Sequence, residues 1–152
     1  MNIESVPFKA EHMIEISEHI IEKTYTPEQW RQWAKFNEKT CEAITVYVDG
    51  EILACAGIRL EDIEIDGEVQ LEKNAMWVVL HERTRQHKRE LLYATRIFVN
   101  HLAENRENEK ITAICCCSFD EGHTFMEHIG FRATGTQRLQ GFDDYELERP
   151  AA

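Results

Sequence analysis

The N-terminal part of the chain changes from weak alternation to helical spacing. Residues 3–7 alternate loosely between apolar and polar side chains, which predicts a short strand. Residues 11–23 place apolar side chains three and four positions apart, which predicts an amphipathic helix with one buried face. Its apolar positions are Met13, Ile16 and Ile20.

Two further segments have helical character. Thr26 followed by Pro27 favours a helix start, because threonine caps free N–H groups and proline fits the first turn. This predicts a second helix over residues 27–39. The longest helix is expected over residues 83–104, where an apolar stripe lies opposite a charged side. The stripe consists of Leu91, Leu92, Thr95, Phe98, Val99 and Leu102.

Strand-forming segments lie between these helices. Residues 43–49 and 51–60 are rich in strand-forming side chains and meet at Asp49-Gly50, a strong signal for a tight hairpin. Asp66-Gly67 is a second turn signal of the same kind, and an apolar run over residues 68–80 follows it. We expect that run to form one long central strand whose end is buried on both faces.

The C-terminal part of the chain predicts a strand, a short helix and two further strands. Residues 110–117 form an apolar run without proline or glycine, which favours a buried strand. Asp120 stands at a helix N-cap position, and Gly130 can close the helix in a left-handed conformation. The next strand begins at Phe131, and a last strand is expected at residues 145–148. The complete order of elements is therefore β-α-α-β-β-β-α-β-α-β-β.

The stretch His123–Phe131, with the sequence H-T-F-M-E-H-I-G-F, resembles the final helix and Gly-Phe close of the GNAT acyltransferase superfamily. The order of elements is also that of the GNAT fold. The resemblance implies an α/β (α+β) protein with a central mixed, mostly antiparallel sheet of six to seven strands and about four helices. It also implies that strands four and five splay apart.

Composition limits the size and the setting of the protein. With 152 residues and 43% apolar content, residues 1–152 are expected to form a single GNAT-like domain. No apolar run approaches the ~20 residues of a membrane span, and the N-terminus lacks the layout of a signal peptide. We therefore expect a cytoplasmic protein. The consecutive Cys115, Cys116 and Cys117 favour reduced thiols over a disulfide framework.

Charge and histidine spacing bear on the partners. The chain has 28 acidic and 17 basic residues, a net charge of -11, which argues against binding nucleic acid through phosphates and favours a cationic or amine-bearing partner. The alternative is that the charge serves only solubility. His12 and His19 are seven apart, and His123 and His128 are five apart, so neither pair has the spacing of a helical zinc site. No metal is expected.

The resemblance places acetyl-CoA in the gap between strands four and five. The residues at the end of strand four would then lie beside the thioester and pair with its pantetheine arm through their backbone. Exposed backbone N–H groups at such a gap can also polarise the thioester carbonyl. These residues are Trp77, Val78, Val79 and Leu80.

The family's loop for the diphosphate is patterned R-x-x-G-x-G, and this chain departs from it. Arg83 matches the arginine, but Gln86 and Lys88 stand where the glycines would be. Either side-chain charge replaces close backbone contact with the phosphates, or CoA binding has been lost. The candidate residues for the diphosphate are Arg83, Arg85, Gln86, His87, Lys88 and Arg89.

The proton-transfer residues also depart from the family. The family's tyrosine acid, four residues before the glycine, is Met126 here, which cannot transfer a proton. Candidate substitutes are Ser118 and Cys117, with Cys116 and His123 as further options. Glu72 is the candidate base for the acceptor amine, and Glu68 is its alternative; either can also be an ordinary exposed residue of a strand.

Two functions follow from this mixture. The first is a GNAT-type N-acetyltransferase that moves acetyl from acetyl-CoA to a primary amine of a small molecule or protein, with Trp30 and Trp33 near the acceptor or in the core. The second is a non-catalytic interaction module, similar to the small GNAT-like morphogenesis proteins of short-tailed bacteriophages. A phage origin would place the protein in the host cytoplasm. A homodimer is compatible with both hypotheses.

Overall fold

A computed structural model describes residues 2–148 of the chain. Within that range, four α-helices and one 3-10 turn accompany nine strands. The helices are α1 (Ala10–Ile16), α2 (Pro27–Thr40), α3 (Lys88–Glu104) and α4 (Asp120–His128), and the 3-10 turn is Glu82–Gln86. The strands are β1 (Ile3–Pro7), β2 (Cys41–Val48), β3 (Glu51–Arg59), β4 (Ile63–Ile65), β5 (Glu68–Leu71), β6 (Ala75–Leu80), β7 (Thr112–Cys116), β8 (Phe131–Ala133) and β9 (Phe142–Leu147).

Seven of these strands form one mixed sheet in the order β1-β2-β3-β6-β7-β9-β8. Neighbouring strands are antiparallel except for β6 and β7, which are parallel. The predicted hairpin at Asp49-Gly50 is confirmed, since it joins β2 and β3 and both turn residues have positive φ, at 51° and 82°. This is the backbone that a tight two-residue hairpin turn requires.

The predicted single strand over residues 68–80 is wrong. The run divides into β5, which pairs with β4 in a small separate sheet, and β6, which joins the central sheet. The break falls at Asn74, whose φ of 66° is left-handed and cannot belong to a strand. The apolar pattern hid this break because both halves carry strand-forming residues.

Other boundaries also differ from the predictions. The first helix ends at Ile16 instead of residue 23, because Ile20 leaves the helix and forms an antiparallel bridge with His81. The helix expected over residues 83–104 is the 3-10 turn followed by α3. The last strand begins at Phe142 and not at residue 145.

The two faces of the sheet carry different helices. Cys55 and Ala56 are neighbours in β3 and therefore point to opposite faces. Cys55 packs in a core with residues of α1 and α2, which include Met13 and Trp30. Ala56 packs in a core with residues of α3 and α4, which include Phe98, Leu102 and Met126. The helix pairs α1/α2 and α3/α4 thus enclose the sheet from its two sides.

Asn74 ties together several elements at the start of β6. Its N–H donates to the Arg59 carbonyl at 2.9 Å, and its carbonyl accepts from the Thr112 N–H at 3.2 Å. Its side-chain Oδ1 accepts from Arg106 Nε at 3.0 Å. The side chain is buried, so these bonds are shielded from water.

We expect Asn74→Ala to lower the free energy of unfolding by about 2.5–5 kcal/mol. Alanine costs about 1–2 kcal/mol in a left-handed conformation, and the lost hydrogen bond to a charged group costs about 1.5–3 kcal/mol. Asn74→Gly loses only the side-chain bond and is expected to be about 1 kcal/mol less destabilising. Urea unfolding of both variants measures the difference, and equal losses would contradict this account of Asn74.

Candidate active site

The two parallel strands are paired at one end and open at the other. The register of β6 and β7 has two partner pairs, Ala75 with Thr112 and Met76 with Ala113. From Trp77 onward, no further pairing joins these strands within the described part of the chain. The result is the wedge between strands four and five that the resemblance implied, with β6 as strand four and β7 as strand five.

Val78 is the residue whose backbone faces this opening. Backbone groups alternate sides along a strand, and Met76 directs its own toward β7. Val78 lies two residues after Met76 and therefore also directs its N–H and C=O toward β7, but it lies beyond the last partner pair of the two strands. Leu80 also faces this side, but its carbonyl accepts from the Ile21 N–H at 2.8 Å. The wedge thus offers one N–H and C=O pair for an extended ligand at Val78.

A cavity of about 140 Å³, the wedge cavity, occupies the space between the two strands. It passes between β6 and β7, so residues of both sheet faces line it. A second cavity of about 300 Å³, the α3/α4 cavity, lies between the start of α3 and α4. Leu80 and Phe125 line both cavities. The two cavities are therefore adjacent parts of one groove.

The four predicted strand residues Trp77, Val78, Val79 and Leu80 all line the wedge cavity. Trp77 does not fill it, because its ring packs against Phe8 and Trp33 and its Nε1 donates to Cys41 Sγ at 3.4 Å. Met126, at the position of the family's tyrosine, is buried and also lines this cavity. An apolar thioether therefore occupies the position at which the resemblance implies a tyrosine acid.

The basic residues before α3 divide into paired and unpaired groups. Arg83 forms an ion pair with Glu51, and Arg85 forms a two-pronged pair with Glu121 of α4 at 3.1 and 2.8 Å. That hydrogen-bonded pair raises the pKa of Arg85 and lowers the pKa of Glu121. Both residues of the second pair line the α3/α4 cavity. Arg85 therefore stands at the cavity with its charge already neutralised.

Lys88 is the cation best placed for an anion in the groove. It lines the α3/α4 cavity, is exposed, and makes no ion pair within residues 2–148. It is also the first residue of α3, where free N–H groups and the helix dipole favour negative charge. Gln86 and Arg89 are exposed nearby, and His87 is the residue before the helix.

The candidate acids Cys117 and Ser118 lie in the turn after β7, at the open end of the wedge. Both are exposed, and Cys117 Sγ accepts from Gln137 Nε2 at 3.3 Å. Neither lines the wedge cavity. His123 lines neither cavity, and its Nδ1 contacts the Tyr145 hydroxyl while its Nε2 lies 3.8 Å from Asp143.

The candidate base Glu72 lies outside both cavities. It is in the turn before β6, near the closed end of the wedge, and forms an ion pair with Arg138. Arg138 Nε also lies 3.3 Å from the buried Asp144. Glu68, its alternative, is exposed in β5.

Sequence reasoning missed the residues that loops bring to the wedge cavity. Glu22 and Tyr25 come from the segment between α1 and α2, and Phe142 comes from the start of β9. Glu22 is the one charged residue in the lining of this cavity within the described chain. Hydrophobic spacing assigned Glu22 to a helix, so no local signal pointed to it.

His81 fixes the turn that leads from β6 to the basic residues. Its Nδ1 accepts from the Arg83 N–H at 2.9 Å and so caps the 3-10 turn. Burial lowers the pKa of His81, and the nearby Arg83 and His19 lower it further. These effects favour the neutral imidazole, which the capping bond requires.

The structure resembles solved acetyltransferases of the GNAT group. Aminoglycoside acetyltransferase AAC(6')-Ib in complex with coenzyme A and kanamycin has 15% identity and a TM-score of 0.69, over 95% of this chain and 93% of that one. The N-acetyltransferase PaiA from Thermoplasma acidophilum in complex with coenzyme A has 13% identity and a TM-score of 0.60, over 98% of this chain and 100% of that one. The GNAT domain of PAT from S. lividans has 13% identity and a TM-score of 0.66, over 95% of this chain and 89% of that one.

These likenesses confirm the predicted fold class, a mixed and mostly antiparallel sheet with the GNAT arrangement of helices. At such identities they establish the fold alone. No protein-family model matches the chain, and no curated protein matches it in sequence. Within residues 2–148, no helix is long and apolar enough to cross a membrane, and no three His, Cys, Asp or Glu residues are grouped to hold a metal ion.

We expect acidification to destabilise the protein partly through His81. Because the folded state holds the pKa of His81 below its usual value, the unfolded chain binds more protons, and stability falls as the pH drops below about 6.5. In His81→Asn the amide oxygen can still accept from the Arg83 N–H but does not titrate.

Melting temperatures of the natural protein and of His81→Asn at about pH 7.5 and about pH 5.5 measure the contribution of His81 to acid sensitivity. The variant is expected to lose less stability between these pH values than the natural chain. An identical decline in both would show that other groups account for the acid sensitivity.

Proposed function

We propose that this protein is an acetyl-CoA-dependent N-acetyltransferase that acts on a primary amine. The single observation that supports the proposal most is the wedge between β6 and β7, which leaves the Val78 backbone groups open beside a cavity. An amide-bearing pantetheine arm can pair with such a strand edge as an additional strand does. The CoA complexes of AAC(6')-Ib and PaiA share this fold.

The groove has room for the two parts of the cosubstrate. The wedge cavity is narrow and mostly apolar, which suits the thioester end. The larger α3/α4 cavity leads to Lys88 and the start of α3, where the diphosphate finds positive charge and free N–H groups. In this proposal the Lys88 ammonium binds the diphosphate through its charge, in place of the close backbone contact that the family's glycines allow. Arg85 can bind the diphosphate together with Lys88 only when it releases Glu121.

The proposed reaction is direct attack of the amine on the thioester carbonyl. The carbon–nitrogen bond forms, the carbon–sulfur bond breaks, and the thiolate leaves with the electron pair of that bond. Pairing of the pantetheine arm with the Val78 backbone fixes the thioester in the wedge cavity for this attack, and a fixed geometry lowers the barrier. Met126 excludes water from the site but moves no proton, so the sulfur takes its proton from another group or from water.

We expect acetyl-CoA to bind with measurable affinity in isothermal titration calorimetry. Lys88→Ala is expected to weaken binding about tenfold, since one charged hydrogen bond to phosphate contributes about 1.5 kcal/mol. The matched control is Lys35→Ala, which removes an exposed lysine of α2 that lines neither cavity. Absence of binding at millimolar acetyl-CoA would refute the proposed function.

The competing function is an interaction module that has kept the scaffold without catalysis. Met126 at the acid position and the lack of glycines before α3 favour it. Release of free thiol from acetyl-CoA in the presence of an amine, followed with a thiol reagent, would exclude this alternative. A partner protein whose binding ignores CoA and survives Arg83→Ala and Arg85→Ala would support it.

A further inference from the structure

The wedge cavity has a continuous aromatic wall on the side away from the α3/α4 cavity. The wall consists of Tyr25, Trp30, Trp33 and Trp77, each of which contacts the next edge-on. The ring centroids lie 5.0, 5.6 and 5.1 Å apart in that order. Such edge-to-face contacts are favourable and hold each ring in place. The wall is therefore a fixed apolar surface.

Among the residues that the structure describes, Glu22 supplies the one negative charge in the lining of this cavity. The segment that carries it is held to the end of β6 by three contacts. The Ile21 N–H donates to the Leu80 carbonyl at 2.8 Å, the Glu82 N–H donates to the His19 carbonyl at 2.9 Å, and Lys23 Nζ lies 3.3 Å from Glu82. The Thr24 hydroxyl donates to the Glu22 carboxylate and orients it. Glu22 is thus a positioned carboxylate beside the open strand edge.

The size of the cavity limits what fits between the wall and Glu22. The whole cavity has a volume of about 140 Å³, close to the ~150 Å³ of an engineered apolar cavity that binds one benzene, and its Val78 side is shared with the thioester, so a single ring is the upper limit of what its wall side can enclose. An amine rich in hydroxyl groups would lose its hydrogen bonds to water against these aromatic faces without replacing them. A cation, by contrast, is attracted by the faces of tryptophan and tyrosine.

We propose that the acceptor is a primary amine carried on a single aromatic ring by a short alkyl chain, with its ammonium bound by Glu22. This inference rests on the proposed function for the transfer step, although binding of the amine does not depend on it. The ring packs on the aromatic wall, and the nitrogen points toward Val78. Glu22 accepts the first proton from the ammonium, and the free amine then attacks the thioester. The second proton leaves the nitrogen as the amide forms and is balanced by protonation of the departing thiolate.

The test uses three probes that separate the ring from the charge. The probes are 2-phenylethylamine, which has both, 2-phenylethanol, which keeps the ring alone, and n-propylamine, which keeps the ammonium alone. All three tryptophans of the chain line the wedge cavity, so quenching of tryptophan fluorescence reports on its occupancy. Each titration is run with and without saturating CoA.

We expect 2-phenylethylamine to bind at least tenfold more tightly than either partial probe. Glu22→Gln is expected to weaken 2-phenylethylamine about tenfold and to leave 2-phenylethanol unchanged. The matched control is Glu18→Gln, which makes the same substitution four residues earlier at an exposed glutamate outside the cavity lining. It is expected to change neither affinity, and circular dichroism checks that both variants are folded.

Two results would overturn the inference. One is equal affinity for 2-phenylethylamine and for either of the two partial probes. The other is an identical effect of Glu22→Gln and Glu18→Gln. Failure of acetyl-CoA to bind would instead refute the transferase proposal. The amine titrations of the CoA-free protein would still test whether the wedge cavity binds an aromatic amine.

The kinetic arm applies the same comparison to acetyl transfer. With acetyl-CoA present, kcat/KM for 2-phenylethylamine is expected to exceed that for n-propylamine and for kanamycin by at least tenfold. Glu22→Gln is expected to lower kcat as well as to raise KM, since it removes both the proton acceptor and the ammonium contact. Binding of acetyl-CoA together with equal transfer to all three amines, or with transfer to none, would overturn the inference.

Discussion

The short pairing between β6 and β7 is the constraint on which the rest of the site depends. Two partner pairs hold these strands at one end, and beyond Met76 they separate. A backbone N–H and C=O that find no partner in the protein carry a free-energy cost unless water or a ligand meets them. The opening at Val78 is therefore a place where an extended amide ligand restores what the sheet lacks.

Both ends of the wedge are fixed by contacts outside the two strands. At the closed end, Asn74 joins β6 to β3, to β7 and to Arg106. At the open end, Ile21 occupies the Leu80 carbonyl, so the wedge is limited to the stretch around Val78. The same contact brings Glu22 to the cavity. One loop thus limits the length of the opening and also contributes the carboxylate beside it.

Much of the fold follows from local sequence patterns, whereas the site depends on contacts between distant residues. The Asp49-Gly50 hairpin was predictable because a tight turn needs residues that tolerate positive φ. The break at Asn74 was not, because an asparagine among strand-forming residues gives no strong signal. Neither was the early end of α1, since the bridge of Ile20 to His81 joins residues far apart in the chain. Glu22 was missed for the same reason.

The decisive measurement is nitrogen-15 NMR of the Val78 amide in the protein with and without CoA. In the free protein the Val78 N–H is expected to exchange quickly with solvent, and CoA is expected to shift its signal and to slow its exchange. The Val79 N–H, which faces β3 in the register of these strands, serves as the internal control and should change little. A Val78 N–H already protected without ligand, or one that saturating CoA leaves unchanged, would contradict the account.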